Sequence, residues 1–316
     1  MQRILLSHSS VQHRVFFAAG ATVILWASAF VGIRMVGESF SPGSLTLFRL
    51  LVASVCLTVL VFLRKPVFPQ RRDRLFIVGF GVAWFAGYNY ALNAAEQLLD
   101  AGTTALLVNI GPILIAVLSA VVLKEGFPRL LMWGTLVAFA GVALVAVTAG
   151  SGDRIDPAGV FLALLAAVLY AVGVVVQKPV VGRVDSVMAT WLGCLVGTVV
   201  TAPFAVSLVA EIPEASPAAA WGVIYLGVFP TAIAFTTWAY ALQHTTAGKL
   251  GATTFLVPAV AILLSWIVLR ETPSLWALLG GGVCLLGVAI TRRESAPRER
   301  PKQADLPKAI TSPPPR

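Results

Sequence analysis

Charge is scarce in this 316-residue chain: Asp, Glu, Lys and Arg make up 12 % of it, hydrophobic residues 58 %, and mean hydropathy is +0.88. So few charges cannot cover a water-soluble domain of this size, and one soluble core cannot hide that much apolar side chain. Histidine and cysteine are scarce too. His8, His13 and His244 all fall away from the centre of any apolar run. With no acid–base pair, nucleophile or metal set at one depth, a membrane-embedded enzyme is not expected. Cys56, Cys194 and Cys284 lie inside apolar runs at unrelated spacings, so neither a disulfide nor a metal site is suggested, and no cofactor is called for. A carboxylate in mid-run is missing as well. Glu96, at the end of one run, is the nearest candidate for the embedded acid that proton-coupled exchange normally uses.

What the chain has instead is apolar runs. Ten of them, at roughly 15–37, 43–63, 75–95, 101–123, 129–148, 157–177, 187–209, 217–241, 247–269 and 274–291, are each long enough as a helix to cross a hydrocarbon core of about 30 Å. The first run contains Ala27, Ser28 and Ala29, which resemble a leader-cleavage site, but it continues to Gly37 and reads as a retained helix. The excess of Lys and Arg over Asp and Glu, 23 against 14, is a topology signal rather than a nucleic-acid surface. With the N-terminus in the cytoplasm, every Lys and Arg except Arg34, Arg49, Arg154 and Arg270 falls on that side, while Glu38, Glu96, Asp153, Glu211 and Glu271 fall opposite. Both termini are then cytoplasmic. After Thr291 the sequence turns to proline and charge, and a disordered tail is expected.

The stretch Ala101 to Val145 recurs without a gap as Ala247 to Thr291. Residues that lipid does not favour coincide at an offset of 146: Gly102 with Gly248, Pro112 with Pro258, Glu125 with Glu271, Gly134 with Gly280. The register extends backwards through Gln97 and Gln243 to Gly81 and Gly227, and an offset of 144 matches Trp26 with Tyr170 and Arg34 with Lys178. An odd number of runs per copy inverts the second copy in the membrane. The expected fold is therefore an all-α integral membrane protein of ten transmembrane helices, built as two inverted five-helix repeats. Its parts are a cytoplasmic segment 1–14, repeats over 15–148 and 157–291, and the tail 292–316. Inverted repeats allow one site to face each side of a membrane in turn.

Polar residues inside the runs are the candidate site. Trp26 and Phe30 on the first run are either helix contacts or substrate contacts. Arg49, a charge well inside the second run, either snorkels outward, pairs with Glu38 or Glu96, or captures a substrate carboxylate. Phe85, Asn89, Asn93 and Glu96 share one face of the third run with Tyr88 beside it, and two amides on a face serve either as interhelical glue or as the wall of a water-filled cavity. Thr103, Thr104, Asn109 and the Gly111–Pro112 break follow on the fourth. In the second half Tyr170, the stripe Thr231, Phe235 and Trp238, and then Thr253, Thr254 and Pro258 form either core or a surface for a small amphipathic ligand. The offset that reaches Arg49 lands on Gly193, so the two halves have diverged.

The stretches WASAFVGIRMVGESFSPGSLTLFRLLVAS (26–54), YALNAAEQLLDAGTTALLVNIGPILIAVLSAVVLKE (90–125) and YALQHTTAGKLGATTFLVPAVAILLSWIVLRE (240–271) resemble the EamA-type branch of the drug/metabolite transporter superfamily. The resemblance covers roughly residues 15 to 291. It implies a ten-helix inner-membrane exporter of amino acids, other metabolites or drugs, with a cavity lined by helices 1, 3, 4, 6, 8 and 9. It points to Trp26, Tyr88, Tyr170 and Trp238, to Arg49 as the helix-2 arginine, and to Pro112 and Pro258 as helix breaks. The expected partners are a small-molecule substrate and the lipid bilayer, as a monomer or a homodimer. The expected function is export of a small metabolite such as an amino acid or derivative. Multidrug efflux and a non-transporting scaffold are the alternatives.

Overall fold

The structure is a computed structural model that describes residues 2–64, 66, 68–99, 104, 107–125, 129–149, 156–269 and 275–292. Gly102, Thr103, Asp153, Arg154, Arg270, Glu271 and the tail beyond Arg292 lie outside those residues. The described residues are helical, with no strand among them. In chain order the helices are α1 (Gln2–Val36), α2 (Pro42–Arg64), α3 (Arg71–Leu98), α4 (Gly111–Val122), α5 (Arg129–Ala149), α6 (Pro157–Val181), α7 (Ser186–Glu211), α8 (Pro217–His244), α9 (Ala247–Thr253), α10 (Leu256–Leu269) and α11 (Leu275–Arg292). α1 extends back into the segment expected to precede it.

Among the described residues six helices are long and apolar enough to cross a membrane: α1, α2, α3, α6, α7 and α8. The apolar helices of the fourth and ninth runs are shorter because the chain turns within them. Residues 109–110 form a turn ahead of Pro112, whose fixed φ suits the first turn of α4, and Thr254 and Phe255 form the turn between α9 and α10. Helix starts are capped from the sequence. Asp156 accepts from Ala158 N and Gly159 N at the start of α6, and Asp185 accepts from Val187 N and Met188 N at the start of α7.

Two helices change register midway. α3 is π-helical over Gly81–Tyr88 and α8 over Gly227–Ile233, so both π segments begin at glycines that the 146-residue offset pairs. Each of those glycines permits a close crossing. A Cβ on Gly81 would sit 2.6 Å from Val196 Cβ, and one on Gly227 would sit 2.6 Å from Val52 Cβ. Lipid supplies no hydrophobic drive between helices, so backbone approach of this kind is what holds α3 on α7 and α8 on α2.

Other contacts repeat in the same way. Gln97 Nε2 donates to Phe40 O at 3.2 Å, and Gln243 Nε2 donates to Val184 O at 3.0 Å. Where α2 crosses α7, the hydroxyls of Ser54 and Thr198 lie 3.2 Å apart, and the rings of Trp26 and Tyr170 lie 6.0 Å apart between α1 and α6. Each of those two pairs joins positions 144 residues apart. At the far end of the chain α5 and α11 pack together, and Gly287 lies so near the Ala138 backbone that no side chain fits between them.

Candidate functional site

The centre of the bundle holds a narrow cavity of about 50 Å³, room for a few solvent-sized groups. Aromatic rings from four helices line it. α1 supplies Trp26 and Phe30, α3 supplies Trp84 and Tyr88, α6 supplies Tyr170 and α8 supplies Phe235. The rings pack edge to face or tilted: Trp84 and Phe235 are 4.9 Å apart, Trp84 and Tyr170 5.4 Å, and Tyr88 and Tyr170 5.7 Å. Such pairs each contribute about 0.5–1.5 kcal/mol beyond the area they bury, so the wall is stiff.

The polar part of the wall is built around Arg49. Its Nε donates to Thr231 Oγ1 at 3.2 Å, and Thr231 Oγ1 in turn donates to Leu226 O at 2.8 Å. Arg49 is 3 % exposed and its Nη1 has no partner among the described residues; neither do the indole nitrogens of Trp26 and Trp84. Around the same space, Asn89 Nδ2 donates to Trp84 O and Phe85 O, and Tyr170 Oη makes a long contact of 3.5 Å to Thr254 Oγ1. Asn109 and Pro112 close the side formed by the fourth run. Among the described residues lining the cavity, Arg49 is the charged one.

Below Trp26, toward the N-terminal end of α1, the path is shut. Trp238 stacks at 5.0 Å from Trp26 with no exposed surface, and the hydroxyls of Thr22 and Thr237 meet at 2.8 Å. At that end Lys178 Nζ donates to Leu242 O at 2.5 Å and to Thr245 O, tying α6 to the last carbonyls of α8. Cavities lie toward both ends of α1: one of about 450 Å³ at its N-terminal end, lined by Val15, Ala19, His244 and Lys249, and one at its C-terminal end. The latter, of about 390 Å³, lined by Arg34, Glu38, Asn93 and Glu96, meets the central one at Ile33.

The EamA-like transporter family profile matches residues 14–147 and again 157–293. The chain belongs to the EamA-like transporter family. Among its relatives, the probable terminal-alkyne amino-acid exporter of Streptantibioticus cattleyicolor is 33 % identical over 287 residues, covering 91 % of this chain and 96 % of that protein. The uncharacterized transporter YdfC of Bacillus subtilis is 34 % identical over 270 residues, covering 84 % and 87 %. A solved crystal structure superposes with a TM-score of 0.73 at 20 % identity, covering 88 % of this chain and 96 % of that one, a likeness of fold. As an EamA-like protein with six long apolar helices among its described residues, the chain is a multi-pass membrane transporter of small molecules.

Within this transporter, Trp26, Phe30, Arg49, Tyr88, Asn89, Asn109, Pro112, Tyr170 and Thr254 come together on the central cavity. Asn93 lines the larger cavity beside it. Thr231 stands behind Arg49, Trp238 stands beneath Trp26, and Pro258 is buried one residue beyond the cavity-lining Val257. Arg49 forms no ion pair with Glu38 or Glu96; among the described residues the ion pair is Arg183 with Asp73, at 2.5 Å. Trp84 was not legible from a 3.6-residue period, which selects Phe85 as the neighbour of Asn89. The π segment adds a residue to the turn and brings Trp84 into line, while Phe85 turns onto Gly193 and Gly197 in the core.

Proposed function

We propose that this transporter is an inner-membrane exporter of a small carboxylate-bearing metabolite, an amino acid or a derivative of one. It works by alternating access between two inverted five-helix repeats, with both termini in the cytoplasm. The observation that carries the reading is Arg49, buried in an aromatic cavity with Nη1 and two nearby indole N–H groups lacking acceptors. A carboxylate supplies the acceptors those donors lack, and a guanidinium holds one in fork geometry. The aromatic wall takes an apolar side chain. Trp26, Phe30, Arg49, Tyr88, Asn89, Asn93, Asn109, Tyr170, Thr231, Trp238 and Thr254 form the substrate pathway, with Pro112 and Pro258 as its helix breaks.

Support for inverted repeats comes from contacts that recur at the repeat offset: Gly81 on Val196 and Gly227 on Val52, Gln97 to Phe40 and Gln243 to Val184. By the distribution of Lys and Arg, the shut end with Lys178 is cytoplasmic and the end with Glu96 is outward. The kinship with a protein named as a probable amino-acid exporter favours the same substrate class.

The test compares metabolites in the medium of cells expressing the wild-type chain or Arg49→Gln at equal membrane abundance. Enrichment of carboxylate-bearing compounds by wild type, lost in the variant, is the expected result. Enrichment of compounds without a carboxylate, or none at all, overturns the proposal.

A further inference from the structure

The central cavity presents donors; its outward neighbour presents acceptors. Asn93 and Glu96 lie three residues apart on one face of α3 and line the cavity of about 390 Å³. The orientation of Asn93 follows from its partner. Thr46 Oγ1 donates its single proton to Pro42 O at 2.7 Å, so toward Asn93, at 2.9 Å, it can only accept. That sets Asn93 Nδ2 against Thr46 and leaves Oδ1 as its open atom. Asn93 is 1 % exposed, and Oδ1 has no donor among the described residues. Glu96 Oε1 is likewise buried without a donor.

The neighbouring groups do not satisfy these oxygens. Gln97 turns its amide away, to Gly37 O and Phe40 O. Arg34 lines the same cavity and Arg49 lies deeper, yet neither forms an ion pair with Glu96 within 4.0 Å among the described residues. Two buried oxygens without donors, one of them on a carboxyl group, suit a group that brings several N–H donors and a positive charge.

We propose that Asn93 and Glu96 form a subsite for the protonated amine of the cargo. The cargo is then an amino carboxylate, its carboxylate toward Arg49 and its ammonium outward. This rests on the reading that the central cavity holds the carboxylate, and adds to it a residue pair that selects the amine.

The experiment measures binding to purified full-length protein by thermal stabilisation, first with the twenty L-amino acids. The strongest binder is then compared with its N-acetyl derivative, which loses the ammonium, and its carboxamide, which loses the carboxylate. Wild type is expected to prefer the free amine over the N-acetyl form at least tenfold. Glu96→Gln reduces that preference to less than threefold and keeps the preference for acid over amide. Arg49→Lys does the reverse. Asn93→Asp, which adds an anionic oxygen at the same place, raises the amine preference and serves if Glu96→Gln does not fold. A wild-type preference that survives Glu96→Gln, or that Asn93→Asp leaves unchanged, overturns the subsite while the carboxylate reading stands. Equal binding of acid and amide by wild type overturns the carboxylate reading, and absence of binding by all twenty overturns both.

Discussion

Arg49 Nε donates to Thr231 Oγ1, and the positions that the repeat relates to these two are Gly193 and Phe85, which also touch: a Cβ on Gly193 would lie 2.6 Å from the edge of the Phe85 ring. One contact is charged and polar; its counterpart is a ring set against bare backbone. The backbone arrangement has been kept in both halves while the chemistry is found in one. A single guanidinium in the middle of the molecule gives the cavity one end for an anion and spares the cost of burying a second charge.

Thr231→Val tests that contact. The Thr231 proton already goes to Leu226 O, so the hydroxyl serves Arg49 as an acceptor, and valine leaves Arg49 Nε without it. Hydrogen bonds to charged groups contribute about 1.5–3 kcal/mol, which at about 1.4 kcal/mol per decade corresponds to roughly a 10- to 100-fold loss of cargo affinity. Thr231→Ser keeps the oxygen and should bind as wild type does. Equal binding by the valine and serine variants would falsify the positioning role.

Gly81→Ala and Gly227→Ala should each lower the yield of folded protein. The new Cβ falls 2.6 Å from a valine Cβ in both cases, on backbone that faces another helix rather than a flexible side-chain tip. Overpacking of this kind costs about 1–3 kcal/mol. Gly20→Ala, with nothing within 4 Å of the added carbon, is the control. The expected readout is a lower midpoint of thermal unfolding in detergent for the first two and an unchanged or slightly higher one for the third.

Much of this arrangement was legible in the sequence. The offsets that pair Gly81 with Gly227 and Gln97 with Gln243 come from the residues alone, and each pair makes matching contacts. The replacement of Arg49 by Gly193 in the second half was equally visible. What escaped was the phase of α3. Hydrophobic periodicity assumes 3.6 residues per turn, and nothing in GVAWFAGY announces a π segment, so the period puts Phe85 where Trp84 stands. The acceptor of Arg49 also escaped, because Thr231 reaches it only through the π turn around Pro230.

Trp84→Phe and Trp26→Phe separate stability from function. Each keeps a ring in the aromatic wall and removes an indole N–H that is buried without a partner. An unsatisfied buried donor costs about 1–3 kcal/mol, so the variants should unfold at the same temperature as wild type or a higher one. Export should fall, because a donor to the cargo carboxylate is gone. A variant that loses stability and retains full export would show that the indole serves packing alone.

Lys178 should govern the end of the bundle where Thr22 meets Thr237. Its ammonium sits on Leu242 O and Thr245 O, where the last carbonyls of α8 concentrate negative potential, so it is held both by hydrogen bonds and by the helix dipole. The repeat relates it to Arg34, which is exposed and lines the cavity at the opposite end. One cation is engaged and its counterpart is not, as expected if each end shuts when its own cation docks. Lys178→Met retains most of the stem and removes the charge. In a background free of other reactive cysteines, Thr245→Cys should then react with a membrane-impermeant thiol reagent from the cytoplasmic side about tenfold faster than it does with Lys178 present. The accompanying loss of directional export should spare cargo binding, since Lys178 lies outside the central cavity. An unchanged labelling rate would mean that the aromatic stack of Trp26 and Trp238 keeps this end shut unaided.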